Sequence, residues 1–149
     1  MTDKKTVEDR SKNMAAIKGK DTKPEVYIRK LLFLNGYRYR KYSNSIPGHP
    51  DIWMRKYNTA IFVNGCFWHR HRDCKYAYMP KSRMDFWQKK FNDNIERDLR
   101  IKNELNSQGI RCIYIWECTV RKMKTLEDGT LLVGRIKDFL AGDDLFIEL

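Results

Sequence analysis

The sequence predicts an α/β fold in which a mixed central sheet is flanked by helices. Three observations carry this. Helical and strand patterns follow one another along the 149 residues in the order helix, strands, helix, strand, helix. Ile110 to Trp116 is an apolar run rich in β-branched and aromatic side chains, as a buried strand requires. A strand from Ala60 to Val63 is separated from it by a long helical stretch, and such a strand-helix-strand step makes a parallel crossover.

The first helix starts at Thr22-Lys23-Pro24-Glu25. Thr22 can cap, Pro24 fits the first turn, and Glu25 sits at the positive end of the dipole. Val26, Ile28, Leu31, Leu32 and Leu34 give it an apolar face, and Gly36 stops it. Tyr37 to Arg40 reads as an edge strand and Ser45 to Pro50 as a loop. Asp51 to Met54 and Ala60 to Val63 form a hairpin around Tyr57-Asn58. Residues 65 to 81 read as irregular. Ser82-Arg83-Met84-Asp85 resembles a capping box, opening a helix to about Gln108 that stops at Gly109. Thr130 to Leu140 is a last amphipathic helix, ended by Gly142. Near the N-terminus, Ser11 to Lys18 reads as a short helix or turn. Residues 1–21 are expected to form an arm and residues 22–149 a single domain.

Thirty Lys and Arg face nineteen Asp and Glu, a net charge of +11, and the pI is near 9.6. Such a balance points to a polyanion, nucleic acid first. No apolar run approaches the roughly 20 residues of a membrane span, and no segment pairs a basic face with a long apolar one, so no membrane partner is expected. The opening Met1-Thr2-Asp3-Lys4-Lys5 has no apolar secretory core, which makes the cytoplasm the expected location.

The chemistry concentrates in Gly65 to Cys74. This stretch holds two of the four cysteines, two of the three histidines and an adjacent Phe67-Trp68 pair. Cys66, His71 and Cys74 have the C-x4-H-x2-C spacing of zinc ligands. Cys118, just past the strong strand, can supply a fourth. Cys112 lies within that strand and reads as a buried thiol. Four such ligands make a closed, structural site. The competing reading is that all four cysteines are ordinary buried thiols. Phe67 and Trp68, in a basic chain, are suited to stack on or wedge between bases.

Pro50-Asp51 at the start of a strand, with a second strand beside it, suits a carboxylate that binds a divalent ion, although Pro-Asp is more often only a turn. His69 is free for proton transfer if His71 binds zinc; otherwise it is a second zinc ligand or a solvent-exposed side chain. Asp98 and Glu96 on the long helix are equal candidates to orient it.

Together these residues resemble the Vsr family, the very-short-patch-repair mismatch endonucleases. The matching segments are Arg10-Ser11-Lys12-Asn13-Met14, Thr22 with Glu25, Pro47-Gly48-x-Pro50-Asp51, Ile61-Phe62-x-x-Gly65-Cys66-Phe67-Trp68-His69, Phe86-Trp87, Asn94-x-Glu96-Arg97-Asp98 and Trp116-Glu117-Cys118. They keep their order from about residue 10 to 140. The resemblance implies a restriction-endonuclease-like fold and a bacterial enzyme, associated with the nucleoid when it acts. Its expected substrate is double-stranded DNA bearing T·G mismatches left by deaminated 5-methylcytosine, nicked just 5′ of the mispaired T.

It also implies roles. Asp51 and the main-chain oxygen of Val63 would ligate a catalytic Mg2+. His69 would assist the attacking water or the leaving oxygen, with Asp98 and Glu25 as supporting acids. Cys66, His71, Cys74 and Cys118 would bind the structural Zn2+. Lys12, Asn13, Met14, Phe67, Trp68, Lys90 and Asn94 would contact DNA, Met14 wedging from one groove and Phe67-Trp68 from the other. The implied partners are mismatch-repair proteins and a cognate cytosine methyltransferase system, and a lone asymmetric lesion suits a monomer. The chain departs from the best-known members at Val63 and Asn64, where they have Thr and His. A main-chain ligand tolerates Val63, whereas Asn64 cannot transfer protons. Two other readings fit the charge and the cysteines: a zinc-stabilised DNA-binding module without catalysis, and a restriction-type endonuclease cutting both strands.

Overall fold

A computed structural model describes residues 20–149. The short helix expected at Ser11–Lys18, and with it Lys12, Asn13 and Met14, lies outside the described residues. The elements are α1 (Lys23–Leu34), β1 (Arg40–Lys41), β2 (Ile52–Met54), β3 (Thr59–Asn64), α2 (Met84–Ser107), β4 (Arg111–Trp116), α3 (Glu117–Arg121), α4 (Leu126–Ala141) and β5 (Phe146–Glu148).

The strands form one sheet in the order β1-β2-β3-β4-β5. β1 to β3 are antiparallel neighbours, with Ile52 opposite Ile61 and Trp53 opposite Ala60. β3 and β4 run parallel, with Ile61 opposite Ile113 and Asn64 opposite Trp116. This is the expected crossover, with α2 as its helix.

Side chains of successive strand residues point to opposite faces, and this sheet buries both. One face carries Ile52, Met54, Ile61, Ile113 and Ile115 against Ile28 and Leu32 of α1 and Leu132, Ile136 and Phe139 of α4. The other carries Trp53, Ala60 and Cys112, with Phe62 and Tyr114, against Leu105 and Ile101 of α2. The strand ends point toward a third, smaller cluster of Cys66, Trp116 and Cys118.

Several local expectations change. Ser82 does not cap α2: the cap position is Arg83 in a left-handed conformation (φ 54°), with no side-chain capping bond. The chain enters that helix by a backbone twist rather than through a hydroxyl. α4 begins four residues before Thr130, where Thr125 and Asp128 close a capping box. Gly129 hid this start by interrupting the apolar pattern. It is small because α1 crosses it: a Cβ there would lie 3.1 Å from Leu31 Cδ1 and 3.3 Å from the Tyr27 hydroxyl. The edge strand forms at Arg40–Lys41 rather than over Tyr37–Arg40, in register with Ile52 and Trp53. Neither α3 nor β5 was expected. β5 is three residues long and pairs parallel to β4, with Cys112 opposite Phe146.

The loop before β2 is set by Gly48 (φ 80°). A Cβ there would stand 2.5 Å from Ile101 Cγ2 and 3.3 Å from the Phe62 ring. Only a residue without one lets the loop close onto α2 and β3. The fully buried Pro50 follows, and then Asp51 at the mouth of β2.

Candidate active site and metal centre

Asp51 reaches across the hairpin. Its Oδ2 accepts a 2.7 Å hydrogen bond from the Val63 N–H, so the aspartate and the main chain of residue 63 are adjacent. The carboxyl is half-buried. Burial first, and the negative Glu25 second, push it up to about 7, against the opposing pull of the Val63 N–H, His69 and Arg29. A carboxylate oxygen and a main-chain carbonyl oxygen are hard donors of the kind Mg2+ takes. Asp51 and residue 63 would hold such an ion.

Glu25 sits in the first turn of α1, where its N–H donates to Thr22 Oγ1 at 3.4 Å. It is 3% exposed. Its Oε2 accepts from the Tyr42 hydroxyl at 2.5 Å and from the Asp21 N–H at 3.1 Å, with Arg29 Nη1 at 3.5 Å. Arg29 also pairs with Asp21 at 2.6 Å, and that hydrogen bond holds the Asp21 carboxyl below the usual carboxylate range.

His69 lies in a turn closed by its own N–H to the Gly65 carbonyl at 3.0 Å. Its Nδ1 is 2.7 Å from Asp98 Oδ2. Of the two acids that residue spacing left equal, Asp98, the one the resemblance implied, faces the imidazole; Glu96 is exposed. An open groove of about 420 Å3 runs past the pair, lined by Gly48, His49, Phe62, Asn64, Arg97 and Asp98, among others. His49, which was not among the candidate residues, lines this groove. Its position just before Pro50-Asp51 was the available signal.

Cys66, His71, Cys74 and Cys118 bring their ligand atoms within 4.8 Å of one another. Tetrahedral zinc with Zn–S of about 2.3 Å places ligand atoms roughly 3.8 Å apart, so the donor set and its spacing fit. The four cysteines are free thiols. Cys118 comes from α3, its N–H donating to Cys66 Sγ at 3.4 Å and its Sγ lying 3.4 Å from His71 Nδ1. The His71 ring stacks on Trp116 at 4.1 Å. Burial pushes the Cys66 thiol up to about 12, a cost that a bound cation removes, because a coordinating thiol is deprotonated by the metal. Cys112 is elsewhere, buried on the α2 face of the sheet.

Phe67 and Trp68 are half-buried. Phe67 is the hub of an aromatic group, with ring centroids 5.1 Å from Trp68, 5.1 Å from Tyr78, 5.5 Å from Trp87 and 5.2 Å from Phe91. Trp87, on the first turn of α2, was not among the candidate residues; its neighbour Phe86 is exposed. Arg70 braces the loop, donating to the carbonyls of Phe67, Ala77 and Tyr78 while its guanidinium lies 3.8 Å from the Phe91 ring centre. Lys90 is exposed on α2. Asn94, expected among the DNA contacts, is 6% exposed and donates from Nδ2 to the Trp68 carbonyl at 3.0 Å. In this structure its amide anchors the aromatic loop.

The chain is similar in sequence to known proteins. The profile of the family described as DNA mismatch endonuclease Vsr matches residues 2–76. The type II nicking enzyme V.NmeAIP of Neisseria meningitidis is 45% identical over 139 residues, covering 93% of this chain and 99% of its own. The DNA mismatch endonuclease Vsr of Escherichia coli is 38% identical over 134 residues, 90% of this chain and 85% of its own. The type II nicking enzyme V.XorIIP of Xanthomonas oryzae is 39% identical over 127 residues, 85% of this chain and 93% of its own. With such identity spread along nearly the whole length of both partners, the chain belongs to the Vsr family of DNA mismatch endonucleases.

Proposed function

We propose that this endonuclease is Mg2+-dependent and strand-specific, nicking DNA 5′ of the mispaired T in T·G mismatches that arise from deaminated 5-methylcytosine. The observation that carries the reading is the convergence at the β2–β3 hairpin: Asp51 held 2.7 Å from the main chain of residue 63, its ionisation sensitive to both Glu25 and His69.

Each part has work to do. Asp98 accepts from His69 Nδ1–H, which fixes the ring and leaves Nε2 to take a proton from the attacking water or give one to the leaving oxygen. Glu25 adds negative charge beside Asp51. A divalent ion held by Asp51 and the Val63 main-chain oxygen would activate water and neutralise charge building on the phosphate. Phe67 and Trp68, kept rigid by Asn94, Arg70 and the Trp87–Phe91 stack, would enter the base stack at the lesion. A wobble pair costs less to open than a matched one, so wedging rings favour the mismatch. A Zn2+ held by Cys66, His71, Cys74 and Cys118 would pin that loop to α3 and the sheet. Lys90 and Arg97, with Lys12, Asn13 and Met14 of the N-terminal arm, supply further DNA contacts, the cationic ones salt-sensitive.

We further read residues 22–149 as one catalytic domain with residues 1–21 as its arm. It acts as a monomer in the bacterial cytoplasm, downstream of a cytosine methyltransferase and alongside mismatch-repair proteins. No helix among the described residues is long and apolar enough to cross a membrane.

The test incubates the protein and Mg2+ with otherwise identical duplexes containing T·G or T·A at one position. A single-strand nick 5′ of the T, confined to the T·G duplex and lost on chelation, is the expected result. A double-strand break in the matched duplex would support a restriction-type enzyme, and binding without cleavage a non-catalytic module; either would overturn the proposal.

A further inference from the structure

We propose that Tyr42 and Arg29 are positioning residues for the acidic centre: they fix the Glu25 carboxylate through its Oε2 and tie it to the main chain of Asp21. The inference rests on the reading of Glu25 as a supporting acid and names what holds that acid in place.

A carboxyl that is 3% exposed has its direction set by the protein groups around it rather than by water. Tyr42 has one hydroxyl proton to give. Glu25 Oε2 is 2.5 Å away and Asp21 Oδ1 is 3.3 Å, so the proton goes to Glu25. The Tyr42 hydroxyl oxygen in turn accepts from the Asp21 N–H at 2.6 Å and from Arg29 Nη1 at 3.3 Å. Its donor and acceptor capacity is thus filled, which fixes its direction. Arg29, 8% exposed, supplies the countercharge between Asp21 and Glu25.

Among the described residues, every hydrogen bond to the Glu25 carboxyl falls on Oε2. Among the described residues, none donates to the other oxygen. Asp21 adopts φ 56°, a conformation uncommon for a residue with a side chain. In it, one N–H reaches both Glu25 and Tyr42, and the carboxylate reaches Arg29 and, at 4.0 Å, Lys41. The clamp therefore joins α1, the end of β1 and the point where the chain enters the domain. A change in backbone path at Asp21 alters a hydrogen bond on the acid.

Tyr42→Phe removes one hydroxyl and keeps the ring. Two quantities are compared for the parent, Tyr42→Phe, Glu25→Gln and the double variant, at a temperature where all are folded. One is single-turnover nicking of the T·G duplex; the other is Mn2+ binding to the free full-length protein, read from loss of the free-ion spin-resonance signal. Tyr42→Phe is expected to slow nicking about tenfold, the worth of one hydrogen bond to a charged group. Mn2+ binding should weaken by a similar factor, with duplex affinity unchanged. The double variant should be no slower than Glu25→Gln alone, because both changes act through one group. Parent-like nicking and Mn2+ affinity in Tyr42→Phe, with Glu25→Gln impaired, would overturn the inference and leave the reading of Glu25 standing. Losses that multiply in the double variant would also overturn it. Parent-like nicking by Glu25→Gln would remove that reading and the inference with it.

Discussion

At the residue scale, the acidic centre is a compromise between folding and chemistry. Asp51 is half-buried and feels the charge of Glu25, and its carboxyl is pushed up to about 7. A carboxylate whose native value is raised binds a proton in the folded chain that the unfolded chain has already released. Its contribution to stability is therefore full below about 4 and is lost as pH rises through about 7. Asp51→Asn keeps an acceptor for the Val63 N–H and never ionises. At pH 8, without divalent ions, it should stabilise the protein by on the order of 2–4 kcal/mol, while abolishing nicking. At pH 4 the advantage should vanish. Adding Mg2+ at pH 8 should raise the melting temperature of the parent but not of the variant. A variant no more stable than the parent at pH 8 would show that the Asp51–Glu25 pair carries no such strain.

At the element scale, the fold was legible wherever a pattern was long and local. The helix from Thr22 and the strand at Ile110–Trp116 carry their own start signals and periodicity, and both formed within a residue or two. The parallel crossover followed from their order. What stayed hidden depended on distant partners. Phe146–Glu148 pairs as a strand along the free edge of β4, and the early start of α4 at its Thr125–Asp128 capping box was masked by Gly129, which is small because α1 crosses it. At the site, the Cys-x4-His-x2-Cys spacing and Pro-Asp were readable, whereas residue spacing alone left Asp98 and Glu96 equal: the family resemblance named Asp98, and only the pitch of α2 against the His69 turn gives the physical reason. The use of Asn94 as an anchor for Trp68 was invisible for the same reason. Gly48 is where local and distant demands meet. Gly48→Ala should cost roughly 1–3 kcal/mol, by strain at positive φ and collision with Ile101. Because the loop leads directly to Asp51, nicking should fall by more than duplex binding. Unchanged melting and activity would mean that the loop has slack which the tight contact does not suggest.

At the scale of the whole molecule, a chain with net charge +11 must hold an irregular segment of nearly twenty residues against a small sheet. Residues 65–83 contain no regular element. Their anchors are Cys66, His71 and Cys74 meeting Cys118 of α3, and the aromatic group over α2. The purified protein should carry about one zinc per chain. Removing it, or making Cys118→Ala, should lower the melting temperature by about 10 °C or more, since metal-binding free energy at such a site is folding free energy. Fully folded, equally stable protein free of zinc would mean that the four side chains pack as thiols and imidazole alone.

The same architecture brings the β2–β3 hairpin with Asp51, the His69–Asp98 pair and the aromatic edge to one end of the sheet, and that juxtaposition is the central claim. It is tested most directly by anomalous diffraction from crystals of the full chain bound to a T·G duplex and loaded with Mn2+ in place of Mg2+. The account predicts a peak roughly 2–2.4 Å from an Asp51 carboxylate oxygen and from the residue 63 carbonyl, with His69 facing the phosphate 5′ of the mispaired T. An ion bound at that phosphate but out of reach of Asp51 would contradict it.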